Sequence, residues 1–344
     1  MNFASDNTAG ISPEILAALA EANHGAVGSY GADPITARLE ANLAELFEHE
    51  VAVLPVATGT AANSLALASV TPPWGAVLCH AGAHIACDET NAPEFYTGGA
   101  KLVPLPGADG KLAAADLAAL LPGDLGNVHH AQPAAISLTQ ATECGTAYRP
   151  DEIAEISALA HRHGLAMHMD GARFANALVH LDVSPAELTW RAGVDVLSFG
   201  ATKNGALGAE AIIFFDPGRA RETAFRRKRA GHLFSKMRFL SAQLDAYVTD
   251  GLWLRNARHA NAAATRLATG LAALPGVRLR HPVEANELFV ELPEPVIAGL
   301  FAAGFQFHRW QGATSTCIRL VTAWNTAEAD VTAFLEAATR LSRA

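Results

Sequence analysis

Cysteine is scarce in this sequence: four residues in 344, Cys79, Cys87, Cys144 and Cys317. None forms a CxxC pair or a metal-ligand spacing, which excludes a disulfide scaffold or a zinc module and leaves each as a small apolar residue of the interior. Positive charge is also in deficit, with 25 Lys and Arg against 34 Asp and Glu and a net charge of -9. Phosphate backbones need a basic face, so nucleic acid is not the expected partner. The one dense basic run, Arg226-Arg227-Lys228-Arg229, reads first as a solvated helix face. No apolar stretch approaches the roughly 18 residues of a membrane span. The opening Met-Asn-Phe-Ala-Ser-Asp has neither a basic nor an apolar leader region. A cytoplasmic protein that touches no membrane is the expectation.

What is present is an ordinary globular balance, 50% hydrophobic and 17% charged, in a chain longer than one average domain. Ser12-Pro13-Glu14 has the cap, N1 proline and first-turn acid of a helix start. Short apolar, β-branched runs then recur, bounded by turn residues: 51–56, 76–79, 101–105, 134–139, 165–169, 194–199 and 211–215. Continuous apolar strands separated by helices predict a mostly parallel sheet covered on both faces, an α/β fold. From about Asn256 the texture changes. An alanine-rich helix to about Leu274 leads to strands near 277–279, 286–291 and 317–322, and Thr326 can cap a final helix carrying Glu328 and Asp330. The expected organisation is a large α/β domain over 1–255, including the N-terminal segment, and a small α+β domain over 256–344. No repeat or low-complexity linker separates them.

Four features carry chemistry. Thr58-Gly59-Thr60-Ala61-Ala62-Asn63 follows a strand and opens a helix, where backbone N–H groups and a threonine hydroxyl can hold a phosphate. In Met169-Asp170-Gly171-Ala172-Arg173 the aspartate falls at the carboxyl end of a strand, where open α/β sheets collect ligands. It can pair with a protonated ring nitrogen, or equally cap a helix or pair with Arg173. Lys203, in Gly200-Ala201-Thr202-Lys203-Asn204-Gly205, lies just past the next strand. A lysine there is usually solvated, but in a low-polarity site it forms imines with aldehydes. Arg319, inside the apolar Cys317-Ile318-Arg319-Leu320-Val321-Thr322, needs a partner. That partner is either a substrate carboxylate, gripped by the guanidinium fork, or an internal acid.

In this order the motifs resemble those of fold-type I pyridoxal 5'-phosphate (PLP) enzymes, the aspartate aminotransferase superfamily. More closely, the chain resembles the low-specificity L-threonine aldolases, on the branch that includes phenylserine aldolase. Ser5-Asp6-Asn7, Ser29-Tyr30-Gly31-Ala32-Asp33-Pro34, the Thr58 loop, His84, Val128-His129, His168-Met169-Asp170-Gly171-Ala172-Arg173, the Lys203 segment and Arg319-Leu320-Val321-Thr322 carry the likeness across nearly the whole chain. The resemblance implies that Lys203 is the Schiff-base lysine and Asp170 the partner of the pyridine nitrogen. Gly59 and Thr60 would bind phosphate, with Thr202 beside the lysine and His84 stacked on the ring. Ser5, Arg173 and Arg319 would meet the substrate carboxylate or the cofactor's ring oxygen. Tyr30, Lys228 and Arg238 would reach into a neighbouring subunit's site, which implies a homodimer or homotetramer. Two segments depart from the aldolases most directly comparable. Thr202-Lys203-Asn204 stands where those carry Ser-Lys-Gly, and the stretch from Ala230 to Arg238 is less glycine-rich.

The implied reaction is cleavage of Cα–Cβ in an L-β-hydroxy-α-amino acid to glycine and an aldehyde. It needs a base at the β-hydroxyl, and neutral histidine suits that near pH 7. Of 14 histidines, the resemblance nominates His84 and His129. A β-eliminating lyase acting on serine or a β-substituted alanine would share Asp170 and Lys203. A cysteine desulfurase would need a thiolate on a mobile glycine-rich loop, and a PLP-binding regulator an added DNA-binding segment or a lost Lys or Asp. The sequence contains none of these.

Overall fold

The computed structural model describes residues 1–310 and 312–343. Seven strands, β1 (Ala52–Val56), β2 (Gly75–His80), β3 (Lys101–Leu105), β4 (Gln132–Thr139), β5 (Ala166–Gly171), β6 (Val196–Gly200) and β7 (Glu210–Phe214), form one sheet. Their order is β1-β7-β6-β5-β4-β2-β3. Pairing is parallel from β3 through β6, and β7 alone runs against its neighbours β6 and β1. Every residue of β5, β6 and β7 is buried. Strands covered on both faces are mostly apolar instead of alternating, and His168, Asp170, Ser198 and Glu210 are the polar exceptions in these three.

One face is covered by the helix Gly59–Val70, whose small residues from Ala61 to Ala68 are all buried. It packs beneath the helices Ala92–Thr97 and Ala220–Arg229. Alanine, serine and glycine let its backbone sit close to the sheet, and this aims its N-terminus at the strand ends. The opposite face carries an aromatic core. Phe199 makes edge contacts with Phe47, Phe174, Tyr247 and Trp253, the last at 5.7 Å between ring centroids.

A second, wholly antiparallel sheet is formed by β8 (Arg278–Leu279), β9 (Glu287–Glu291), β10 (His308–Arg309) and β11 (Cys317–Val321), in the order β10-β11-β9-β8. It has its own core of Leu288, Val290, Ile318, Leu320 and Phe334. The chain's first residues join this sheet. Phe3 N–H donates to Gln306 O at 2.8 Å, Phe3 O accepts from Val321 N–H at 2.8 Å, and the Phe3 ring lies 5.3 Å from Phe334. The helix Leu252–Ala272 spans both cores, with Trp253 and Ala257 in the first and Ala264, Leu267 and Leu271 in the second.

Two helix starts differ from expectation. Ser12 occupies the cap position of Pro13–Ala22, but its hydroxyl accepts from Asn256 Nδ2 at 3.0 Å instead of capping. Thr326 is not the cap of Glu328–Leu341. Ala327 holds that position, and Thr326 Oγ1 accepts from Ala323 N–H at 2.7 Å. In both cases a tertiary or turn partner outcompetes the local one. No described helix is long and apolar enough to cross a membrane.

Candidate active site

The carboxyl ends of β4, β5 and β6 and the N-terminus of Gly59–Val70 converge on a cavity of about 260 Å³. It is lined by Gly59, Thr60, His84, Asp170, Arg173, Thr202 and Lys203 among the residues singled out from sequence. The Thr58 hydroxyl takes the Ala61 N–H at 3.1 Å. The first N–H groups of a helix have no partner within it, so those of Gly59 and Thr60 are left for a ligand. A Cβ at Gly59 would meet no atom within 4 Å, so the helix end opens directly on the cavity.

Asp170 is the penultimate residue of β5 and is 4% exposed. Its Oδ1 accepts from Ala172 N–H at 3.0 Å and its Oδ2 from Asn63 Nδ2 at 2.8 Å. The Asn63 amide also donates to Glu89 Oε1 at 2.9 Å, and that same oxygen holds His84 Nδ1 at 2.9 Å. The hydrogen bond to Glu89 raises the His84 pKa against the effect of burial, and Asp170 adds to the rise. Behind Asp170, His168 bridges Ser137 and Ser198 at 2.8 and 2.9 Å, and burial lowers its pKa to about 4. It is a neutral strut of the sheet.

Lys203 sits in a single 3-10 turn, Thr202–Asn204, after β6. Gly205 closes that turn at φ 116°. A Cβ there would stand 2.2 Å from Ser12 Oγ, so only glycine fits. Below the turn Glu210 accepts from Ala201 N–H at 2.8 Å, and burial pushes its carboxyl up to about 7.

Arg173 faces the cavity but is already paired. Its Nε and Nη2 donate to Asp6 at 2.8 and 3.0 Å, and Nη1 lies 3.2 Å from Glu287 Oε2. Burial alone would raise the Asp6 pKa, but Arg173 and then Lys203 hold it below the usual range. Asp170 is therefore not the acid that pairs with Arg173. Arg319 stands behind this group, its Nε 3.6 Å from Glu287 Oε1, and does not line the cavity.

The other expected site residues lie elsewhere in the chain. Ser5 caps the short turn Asp6–Thr8 by accepting from Asn7 N–H at 3.1 Å, and Asn7 rather than Ser5 lines the cavity. His129 is exposed before the amino end of β4. That strand runs roughly 23 Å, at about 3.3 Å per residue, before Thr139 reaches the site. His129 is thus no part of its own chain's cavity. Tyr30 and Lys228 line a separate surface hollow, with the Lys228 Nζ 4.8 Å above the Tyr30 ring. Arg238 donates to Gly25 O at 3.2 Å. Sequence reasoning missed Asn63, Glu89, Glu143 and Glu210. The only available signal was polar residues inside apolar surroundings, which the resemblance did not assign.

Helix N-terminus, buried carboxylate and half-buried lysine around one cavity fit one class: a fold-type I PLP-dependent enzyme. A family model for beta-eliminating lyases matches residues 2–294. A low specificity L-threonine aldolase of Pseudomonas aeruginosa is 48% identical over 326 residues, covering 94% of this chain and 93% of that protein. Another, from a Pseudomonas species, is 46% identical over 331 residues, covering 96% and 94%. The solved threonine aldolase of Leishmania major superposes with a TM-score of 0.93 at 32% identity, covering 99% of both chains. The fold extends to a serine palmitoyltransferase of Sphingomonas wittichii, with a TM-score of 0.73 at 17% identity over 100% of this chain and 87% of that one. The chain belongs to the beta-eliminating lyase family and, within it, to the low-specificity L-threonine aldolases.

Proposed function

We propose that the protein cleaves L-threonine, L-allo-threonine or L-phenylserine-type β-hydroxy-α-amino acids to glycine and an aldehyde, with PLP held on Lys203. The observation that carries this is the meeting of Lys203, Asp170, His84 and the open end of Gly59–Val70 in one cavity. These donors suit the cofactor. Gly59 and Thr60 offer N–H groups to its phosphate, Asp170 a carboxylate to its ring nitrogen, and Lys203 an amine to its aldehyde. When bound, PLP supplies the electron sink for breaking a bond at Cα.

The chain's own residues do the rest. Arg173, backed by Glu287 and Arg319, orients the substrate carboxylate on one side of the site, which selects the L enantiomer. His84, with Nδ1 committed to Glu89, keeps Nε2 for the proton of the β-hydroxyl. The complete site is that of a homodimer or homotetramer, with Tyr30, Lys228 and Arg238 contributed by a neighbouring copy.

The test is the product set from L-threo, L-erythro and D-β-hydroxy amino acids and from serine. Aldehyde plus glycine from both L diastereomers, and none from D, is the expected result. Pyruvate from serine as the dominant activity refutes it in favour of β-elimination.

A further inference from the structure

Glu143 lines the cavity on the loop that follows β4 and belongs to none of the motifs above. Its Oε1 is fixed from two sides, accepting from His84 N–H at 2.8 Å and from the Thr139 hydroxyl at 2.9 Å. Its Oε2 is buried and makes no hydrogen bond among the described residues. A buried carboxyl oxygen without a partner is costly, and in a catalytic cavity such a group is a candidate for contact with the ligand. The groups facing it are His84, Asp170, Arg173, Tyr148 and the thiols Cys79, Cys87 and Cys144. Burial pushes its pKa up to about 7 and Asp170 adds to the rise, against the pull of the His84 N–H. Both protonation states are therefore accessible near neutrality.

We infer that Glu143 is a second catalytic acceptor for the proton of the substrate's β-hydroxyl, serving the β-diastereomer that His84 does not. This rests on the aldolase reading. The His84 ring is turned to Glu89 through Nδ1, whereas Glu143 is anchored through Oε1 to the His84 backbone N–H and the Thr139 hydroxyl, so its Oε2 is an acceptor separate from the imidazole. The β-hydroxyl proton passes to the Glu143 carboxylate. The Cα–Cβ bond breaks as the aldehyde carbonyl forms, and its electron pair stays on the Cα side. The proton then returns to Cα, which completes glycine and restores the carboxylate. No oxidant or further reactant is needed.

The experiment compares wild type, Glu143→Gln and His84→Asn on L-threo- and L-erythro-phenylserine. Glutamine keeps an oxygen for His84 N–H and Thr139 but cannot take the proton. Glu143→Gln should slow one diastereomer by about 10²-fold or more, the low end of general-base catalysis, and the other less than about threefold. His84→Asn should show the opposite bias. In the PLP-free protein, Glu143 and Glu210 both contribute to the infrared carboxyl signal titrating near pH 7, and Glu143→Gln should remove one of these two components. Equal loss on both diastereomers, unchanged rates, or a signal that keeps both components would each overturn the assignment. If the glutamine variant does not fold, Glu143→Asp, whose carboxyl is retracted by one methylene, must show the same bias. Wild type releasing no aldehyde from either substrate refutes the aldolase reading itself, a result distinct from any of these.

Discussion

Replacing Arg173 with methionine separates its work in the fold from its work on a substrate. Asp6 and Glu287 side chains are 1% and 2% exposed, and Arg173 is their common cation. Without it Asp6 keeps only the Asn286 Nδ2 donor at 3.0 Å, and Glu287 only Arg319 at 3.6 Å. Removing one member of a buried ion pair costs about 3–5 kcal/mol. A value near 4 kcal/mol is roughly a thousandfold in the folding equilibrium, at about 1.4 kcal/mol per factor of ten. In urea the midpoint should fall by about 1 M for a slope of about 3–4 kcal/mol/M.

The pH dependence has a definite sign. In the wild type the Asp6 pKa is lowered, so its stabilisation is present above the unfolded value near 4 and is lost as pH falls through the folded one. In the variant the buried carboxyl has lost its main cation, its pKa rises, and stability grows as pH falls toward about 4. The gap between the two proteins should therefore be widest at pH 7 and narrow in acid. Denaturation of PLP-free protein at pH 7 and about 4.5 measures this directly. A loss below about 1 kcal/mol at pH 7, or a gap that does not narrow, would refute the reasoning.

Three further outcomes are expected. Protein loaded with PLP should be yellow, and borohydride should fix the label on the peptide containing Lys203; a label on another lysine contradicts that assignment. Asp170→Asn should retain PLP but lose at least about 10²-fold in turnover, the scale of a charge-stabilising group; near-normal rates would show that the ring is not paired there. Sedimentation at assay concentration should give a dimer or tetramer, and Lys203→Ala mixed with Lys228→Ala should recover activity through shared sites; a fully active monomer excludes this arrangement.

The strands of the main sheet were legible because a strand buried on both faces is mostly apolar, as the wholly buried β5, β6 and β7 are apart from His168, Asp170, Ser198 and Glu210. The positions of Asp170 and Lys203 followed from the same runs, since Asp170 closes one and Lys203 follows the next in a short turn. Gly205 stood out only as a glycine beside Lys203, not as the one residue that fits against Ser12. What the order of residues could not convey was partnership across long separations. Arg173 meets Asp6, 167 positions away, through a bidentate pair. Asn63 joins Asp170 to Glu89. Such contacts depend on which strand ends the topology brings together, and neither periodicity nor local spacing encodes that. The same reason separates His129 from its own chain's cavity and brings Glu143 into it. Both flank β4, one before and one after, and a strand about seven residue steps long puts them beyond its opposite ends. Local sequence thus determined the elements and the chemistry available at their ends. The tertiary structure alone decided which carboxylates are neutralised by cations and which are left buried with an oxygen free to act.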